Sequence, residues 1–165
     1  MCDITYLSIR LGLLFLVAIM DWCICKVLAW RISNTLKAEF CVDTLSEAIH
    51  KFSAPDILNA DQGSQVTFFT WKDRLRRSGI RISMDSNGRI LDDIFAERLR
   101  RSMKYEFVFL DAWETGSAAK AGIRKWTAFH NHMRPRSALG GKPPALAYWL
   151  KKYGNQTDQP EHRVV

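Results

Sequence analysis

Three acids in this chain, Asp3, Asp61 and Glu97, have neighbours that suit them to holding a divalent cation. Asp61 stands in Asn59-Ala60-Asp61-Gln62-Gly63-Ser64-Gln65, behind the apolar pair Ile57-Leu58, so a short strand leads into a turn. Gly63 lets that turn close without a Cβ penalty. Asp3 opens the alternating run Asp3-Ile4-Thr5-Tyr6, and Glu97 sits inside Leu91 to Tyr105, which reads as a helix. A strand-borne Asp, an Asp at a neighbouring strand's end and a helical Glu can converge on one edge of a sheet. Such an oxygen-only set suits Mg²⁺ or Mn²⁺, hard cations that keep part of their water. Two such ions about 3.5–4 Å apart serve phosphodiester chemistry at both the attacking and the leaving oxygen. Taken singly, each acid reads more readily as a surface carboxylate.

The helix around Glu97 adds cations to the acid. At 100° per residue, Glu97, Arg101 and Lys104 fall within about 60° of one face, opposite an apolar stripe of Phe95, Leu99 and Met103. An acid followed by two cations on one face suits a site that cuts DNA, where cations hold phosphates. Charge along the chain points the same way. The net charge is +7, with 24 Lys and Arg against 17 Asp and Glu. Residues 1–96 hold 11 of each sign, whereas residues 97–165 hold 13 cations and 6 acids. A basic C-terminal part calls for a polyanionic partner, nucleic acid before a membrane surface.

The elements that must position these residues follow from apolar periodicity. Ile4 to Ile9, Leu14 to Met20 and Lys26 to Ile32 read as three strands joined by hairpins. Asn34 or Thr35 offers an N-cap for a helix from Leu36 to Phe52. A strand at Asp56 to Ala60, a helix at Thr67 to Ser78 closed by Gly79, and a strand at Ile80 to Met84 come next. The helix carrying Glu97, a longer one at Glu114 to Asn131 and a short one at Ala145 to Tyr153 complete the order. Three antiparallel strands followed by alternating helices and strands make an α/β fold with a mixed sheet. At 165 residues and 47% hydrophobic content, one domain with a true core is expected, residues 1–150, before a polar, disordered tail at 151–165.

Other residues bear on chemistry less directly. Cys23 and Cys25 read as alternating on a strand and sharing a face, without a second pair at zinc spacing, so reduced thiols are expected. His130 and His132 suit polar capping or a DNA contact better than a metal pair. Trp71, Trp113, Trp126 and Trp149 lie in amphipathic patterns and are expected in the core. Leu11 to Met20 is too short to span a bilayer, which takes about 20 residues, and reads as a buried strand.

These motifs carry a family resemblance. Asp3-Ile4-Thr5-Tyr6, Asp61-Gln62-Gly63-Ser64-Gln65 and Leu91-Asp92-Asp93-Ile94-Phe95-Ala96-Glu97 resemble the three acidic motifs of integrase-core transposases. Lys104 follows the glutamate by seven, and Asn131-His132-Met133-Arg134-Pro135-Arg136-Ser137-Ala138-Leu139-Gly140 is similar to the family's Asn-x-x-Arg-Pro-His-x-Ala-Leu-Gly signature. The resemblance is to OrfB-type transposases of bacterial insertion sequences, relatives of retroviral integrases, over about residues 3–149. It implies a ribonuclease H-like fold with a mixed five-stranded sheet, flanked by helices. It also implies two divalent ions (Mg²⁺ or Mn²⁺) on Asp3, Asp61 and Glu97, a DNA contact by Lys104 and a place for Arg134 in the C-terminal signature; with Arg101 from the helix face, these cations are the expected DNA-binding residues. The implied activity is DNA cleavage and strand transfer at element ends, by a homo-oligomer in the bacterial cytoplasm rather than at a membrane. The pattern departs from the family at Val66, Asp93, Arg136 and Ile24-Cys25, and family members continue upstream of the first aspartate. A truncated first strand is therefore expected, and the alternative function is a weak or inactive remnant that only binds DNA or a full-length transposase.

Overall fold

A computed structural model of the chain describes residues 1–10, 12–59, 69–83, 101, 102, 105 and 113–154. Strands β1 (Cys2–Ile9), β2 (Gly12–Met20) and β3 (Val27–Ser33) form an antiparallel sheet in the order β1-β2-β3. β1 pairs with β2 along its whole length, from Cys2 opposite Ile19 to Ile9 opposite Gly12. The uncharged run from Gly12 to Met20 is thus the central strand, and uncharged side chains on both faces are what burial on both sides demands.

Period-2 alternation splits the apolar side chains between two cores, one on each face of the sheet. Leu7, Leu14, Leu16 and Met20 pack with Trp113, Ala119, Ile123 and Trp126 around helix α3 (Gly116–His132). Cys2, Val17, Ile19 and Ala29 pack on the other face with Cys41, Leu45 and Ala48 of helix α1 (Ala38–Phe52). Strand β4 (Ile57–Asn59), helix α2 (Phe69–Arg77) and strand β5 (Arg81–Ser83) join this second core through Leu58, Trp71, Leu75 and Ile80. Helix α4 (Pro144–Tyr153) follows a single 3₁₀ turn at Ser137–Leu139.

The expected five-stranded sheet is divided among the described residues. β4 pairs in parallel with β5 as a separate two-stranded piece, and no ladder joins it to β1. Each of these strands is only three residues long, and a cleft of about 760 Å³ lies between Met1, the end of β2, α1 and Ile57–Asn59. Asn34 and Thr35 do not cap α1. Ser33 Oγ accepts from the Thr35 backbone N–H at 3.0 Å, which closes a local turn, and α1 starts after Lys37 with no side-chain cap. The Gly79 expectation holds: its φ is +70°, and its N–H donates to Arg76 O while Ile80 N–H donates to Leu75 O. Thr115 caps α3 by accepting from Ala118 N–H at 3.2 Å.

Candidate nucleic-acid and metal site

Asp3 lies on β1 on the same face as Thr5 and Leu7, half-buried, and Thr5 Oγ1 donates to its Oδ2 at 3.1 Å. Thr5 itself is buried, so its hydroxyl is held where it fixes the Asp3 carboxylate. β4 ends at Asn59, two residues before Asp61 in the sequence, and Leu58 shares a core with Cys2 and Ile4 on either side of Asp3. The strand leading to the second acid and the strand that bears the first therefore contribute to one core. Asp61, Glu97 and Lys104 lie outside the described residues, as does most of the helix expected at Leu91 to Tyr105. Among the described residues no group of three His, Cys, Asp or Glu side chains is poised to hold a metal.

Two of the expected DNA-contacting cations are described. Arg101 is exposed, with its guanidinium carbon 5.6 Å from the centre of the Tyr105 ring. Arg134 is half-exposed just past α3, where its backbone N–H donates to Phe129 O.

Most of the C-terminal signature builds structure. Asn131 is buried, and its side-chain amide pairs with Val27 as a strand would. Its Oδ1 accepts from Val27 N–H at 3.0 Å and its Nδ2 donates to Val27 O at 2.8 Å. This clasp fixes the end of α3 to the start of β3. Gly140, at φ +61°, closes a loop in which Gly141 N–H donates to Arg136 O and Arg136 bridges to Lys142. Asn131→Ala strips both partners from a buried peptide group, a loss of about 2–4 kcal/mol. A urea titration is expected to show that fall in its midpoint, and an unchanged midpoint would mean that the clasp is redundant.

Three expectations at chemistry-bearing residues are corrected. Cys23 and Cys25 sit in the turn between β2 and β3 rather than on a strand. Cys25 adopts φ +59° and is buried while Cys23 is exposed, so they share no face. His130 neither caps nor meets DNA. It is fully buried, stacked on Trp126 and hydrogen-bonded through Nε2 to Cys25 O at 2.9 Å, while His132 is exposed. Trp71, Trp113 and Trp126 are core residues as expected, but Trp149 stays 39% exposed on α4. The other buried thiols are poor nucleophiles. Burial pushes the Cys41 thiol up to about 11 and raises Cys2 further, with the buried neighbourhood outweighing the nearby N-terminal charge.

Lys26 escaped the sequence reading. The residue is 4% exposed, and its ammonium lies 4.4, 4.2 and 4.7 Å from the ring centres of Phe52, Tyr148 and Trp149. These cation–π contacts pin α4 to the end of α1 and the β2–β3 turn. Burial lowers the Lys26 pKa, against a smaller upward pull from Asp21. A lone lysine heading the apolar run Val27 to Trp30 was the available signal.

The family model described as "Integrase core domain" matches residues 1–90, and a second model of the same description matches residues 78–144. The chain belongs to the integrase core domain family. The transposase for insertion sequence element IS629 of Shigella sonnei is 26% identical over 146 residues, 88% of this chain and 49% of that protein. This integrase core thus spans about half the length of the curated relatives it matches. The catalytic core domain of BIV integrase superposes with a TM-score of 0.70 at 14% identity, covering 94% of this chain and 97% of that one. The HTLV-2 integrase catalytic core domain, solved in complex with magnesium in a dimeric form, gives a TM-score of 0.64 at 14% identity, covering 87% and 90%. The fold of this integrase core is therefore the ribonuclease H-like fold of those cores, with its three antiparallel strands first.

Proposed function

We propose that this integrase core is the catalytic domain of an insertion-sequence transposase, which cuts and joins DNA strands at phosphodiester bonds. The observation that carries the reading is the placement of Asp3. It stands on a fully paired β1, oriented by Thr5, and β1 shares a core with the strand that leads to Asp61. Eight rungs of pairing with β2 mean that the strand bearing Asp3 forms, which favours the catalytic reading over the inactive remnant.

Asp3, Asp61 and Glu97 would hold the divalent cations. An oxygen-only donor set of this kind suits Mg²⁺ or Mn²⁺, and the magnesium bound by the HTLV-2 core supports the same choice. Two bound ions would lower the charge on the phosphate and promote in-line displacement. The protein's own part is positional. Thr5 fixes the Asp3 carboxylate, while Arg101, Lys104 and Arg134 hold phosphates of element ends and target. Activity would belong to a homo-oligomer in the cytoplasm. Among the described residues no helix is long and apolar enough to cross a membrane.

The test is cleavage and joining of labelled element-end oligonucleotides by the purified chain. Products are expected with Mg²⁺ or Mn²⁺ and none after chelation. A chain that binds DNA but forms no product with either cation would leave only the binding role.

A further inference from the structure

The stretch from Arg134 to Gly154 carries five cations, Arg134, Arg136, Lys142, Lys151 and Lys152, and no acid. Lys142, Lys151 and Lys152 are exposed, and the ion pairs among the described residues do not include them. α4 is also unusual in what it turns outward. At 100° per residue, Trp149, Tyr153, Leu146 and Leu150 occupy one arc of about 100°, opposite the buried Pro144. These four outward side chains are 39–50% exposed. Trp149 and Tyr153 stack at 5.5 Å with their planes 21° apart, and Lys152 Nζ lies 5.7 and 5.8 Å from the two ring centres. Lys26 fixes this platform from below, at 4.7 Å from the Trp149 ring.

A pair of stacked rings with ammonium groups around it is a binding surface for an unpaired nucleic-acid strand, where bases stack and phosphates meet cations. A second copy of the chain fits less well. Facing α4 helices would bring Lys142, Lys151 and Lys152 of each copy together without an acid in the segment to offset them. We propose that the outward face of α4 is a second DNA-binding surface of this core. It takes an unpaired DNA strand, with Tyr153 and Trp149 under bases and Lys142, Lys151 and Lys152 on phosphates. This rests on the DNA strand-transfer reading and adds a place for the strand outside the carboxylate site.

Fluorescence anisotropy of a labelled single-stranded oligonucleotide and of its duplex, with the full chain in chelator across a salt series, tests the surface. Lys151→Gln with Lys152→Gln is expected to weaken single-strand binding about tenfold and to lower the salt slope by about 1.4. Tyr153→Leu should weaken single-strand binding at least about fivefold while changing duplex binding less than twofold. Single-strand affinity within twofold of wild type in both variants overturns the proposal, as does a wild-type chain that does not bind the strand. So does an unchanged affinity with a dimer, seen in sedimentation, that Leu146→Glu with Leu150→Glu dissolves, because the face then docks protein. Cleavage is absent from this assay, so a core that binds through α4 yet cuts nothing with Mg²⁺ or Mn²⁺ refutes only the strand-transfer reading.

Discussion

Gly122→Leu is expected to leave the chain unfolded, and Gly122→Ala to lower the melting temperature by several degrees. Gly122 lies within α3, where alanine ordinarily stabilises by about 1 kcal/mol. Here a Cβ would run into Trp113 Cζ2 and stand 2.7 Å from its Cε2. The ring has nowhere to retreat. Trp113 is 6% exposed in the core with Leu7, Ile123 and Trp126, and its carbonyl accepts from Arg10 N–H at 3.1 Å. Overpacking of this kind typically costs about 1–3 kcal/mol, and a contact this short belongs at the upper end. The clash therefore outweighs the gain in helix propensity. A net loss of about 2 kcal/mol is a large share of a total stability of about 5–15 kcal/mol. Calorimetry checks the direction, and Trp113→Phe combined with Gly122→Ala should recover part of the loss by removing the obstructing ring edge. A Gly122→Ala chain that melts at or above wild type would show that the helix shifts freely away from the indole.

Where the sequence was legible, one physical signal outweighed its competitors. The uncharged run ending at Met20 was too short for a bilayer and read as a buried strand, and Gly79 read as a helix stop. Where two signals competed, the sequence misled. Thr35 looked like an N-cap, but its hydroxyl turns to Ser33 Oγ at 3.3 Å and α1 starts only after Lys37. Cys23-x-Cys25 kept a strand's alternation while Asp21 Oδ1 accepted from Ile24 N–H and bent the chain into a turn. His130 and Asn131 looked like site residues in a basic signature, whereas His130 Nε2 and the Asn131 side-chain amide are spent on the backbone of Cys25 and Val27, over a hundred residues away. Long-range partners of this kind leave no periodic trace in the chain. The same limit applies to the site. Residue type identified Asp3 as a candidate ligand, but only the fold shows Thr5 holding its carboxylate and Leu58 of β4 in the core that β1 also feeds.

That placement sets the largest expected effect. Asp61→Ala, Glu97→Ala and Asp3→Asn should each reduce DNA cleavage by roughly 10³-fold or more, because charge-stabilising groups that act as a unit fail together. Asp3→Asn is the sharpest of the three. Asparagine keeps the shape and an oxygen that can accept from Thr5, so a loss of activity reports the missing charge rather than a broken strand. Since β1 and β2 are paired by backbone, thermal stability of Asp3→Asn should stay close to wild type. Thr5→Val is expected to cost about 10–100-fold by freeing the carboxylate it orients, with DNA affinity unchanged. A double variant of Thr5→Val with Asp3→Asn should then be no worse than Asp3→Asn alone, since a positioning residue has nothing left to position. Activity in Asp3→Asn equal to wild type, with Asp61→Ala and Glu97→Ala inactive, would remove β1 from the site and leave two carboxylates to hold the cations. Equal activity in all three would place the chemistry elsewhere in the chain.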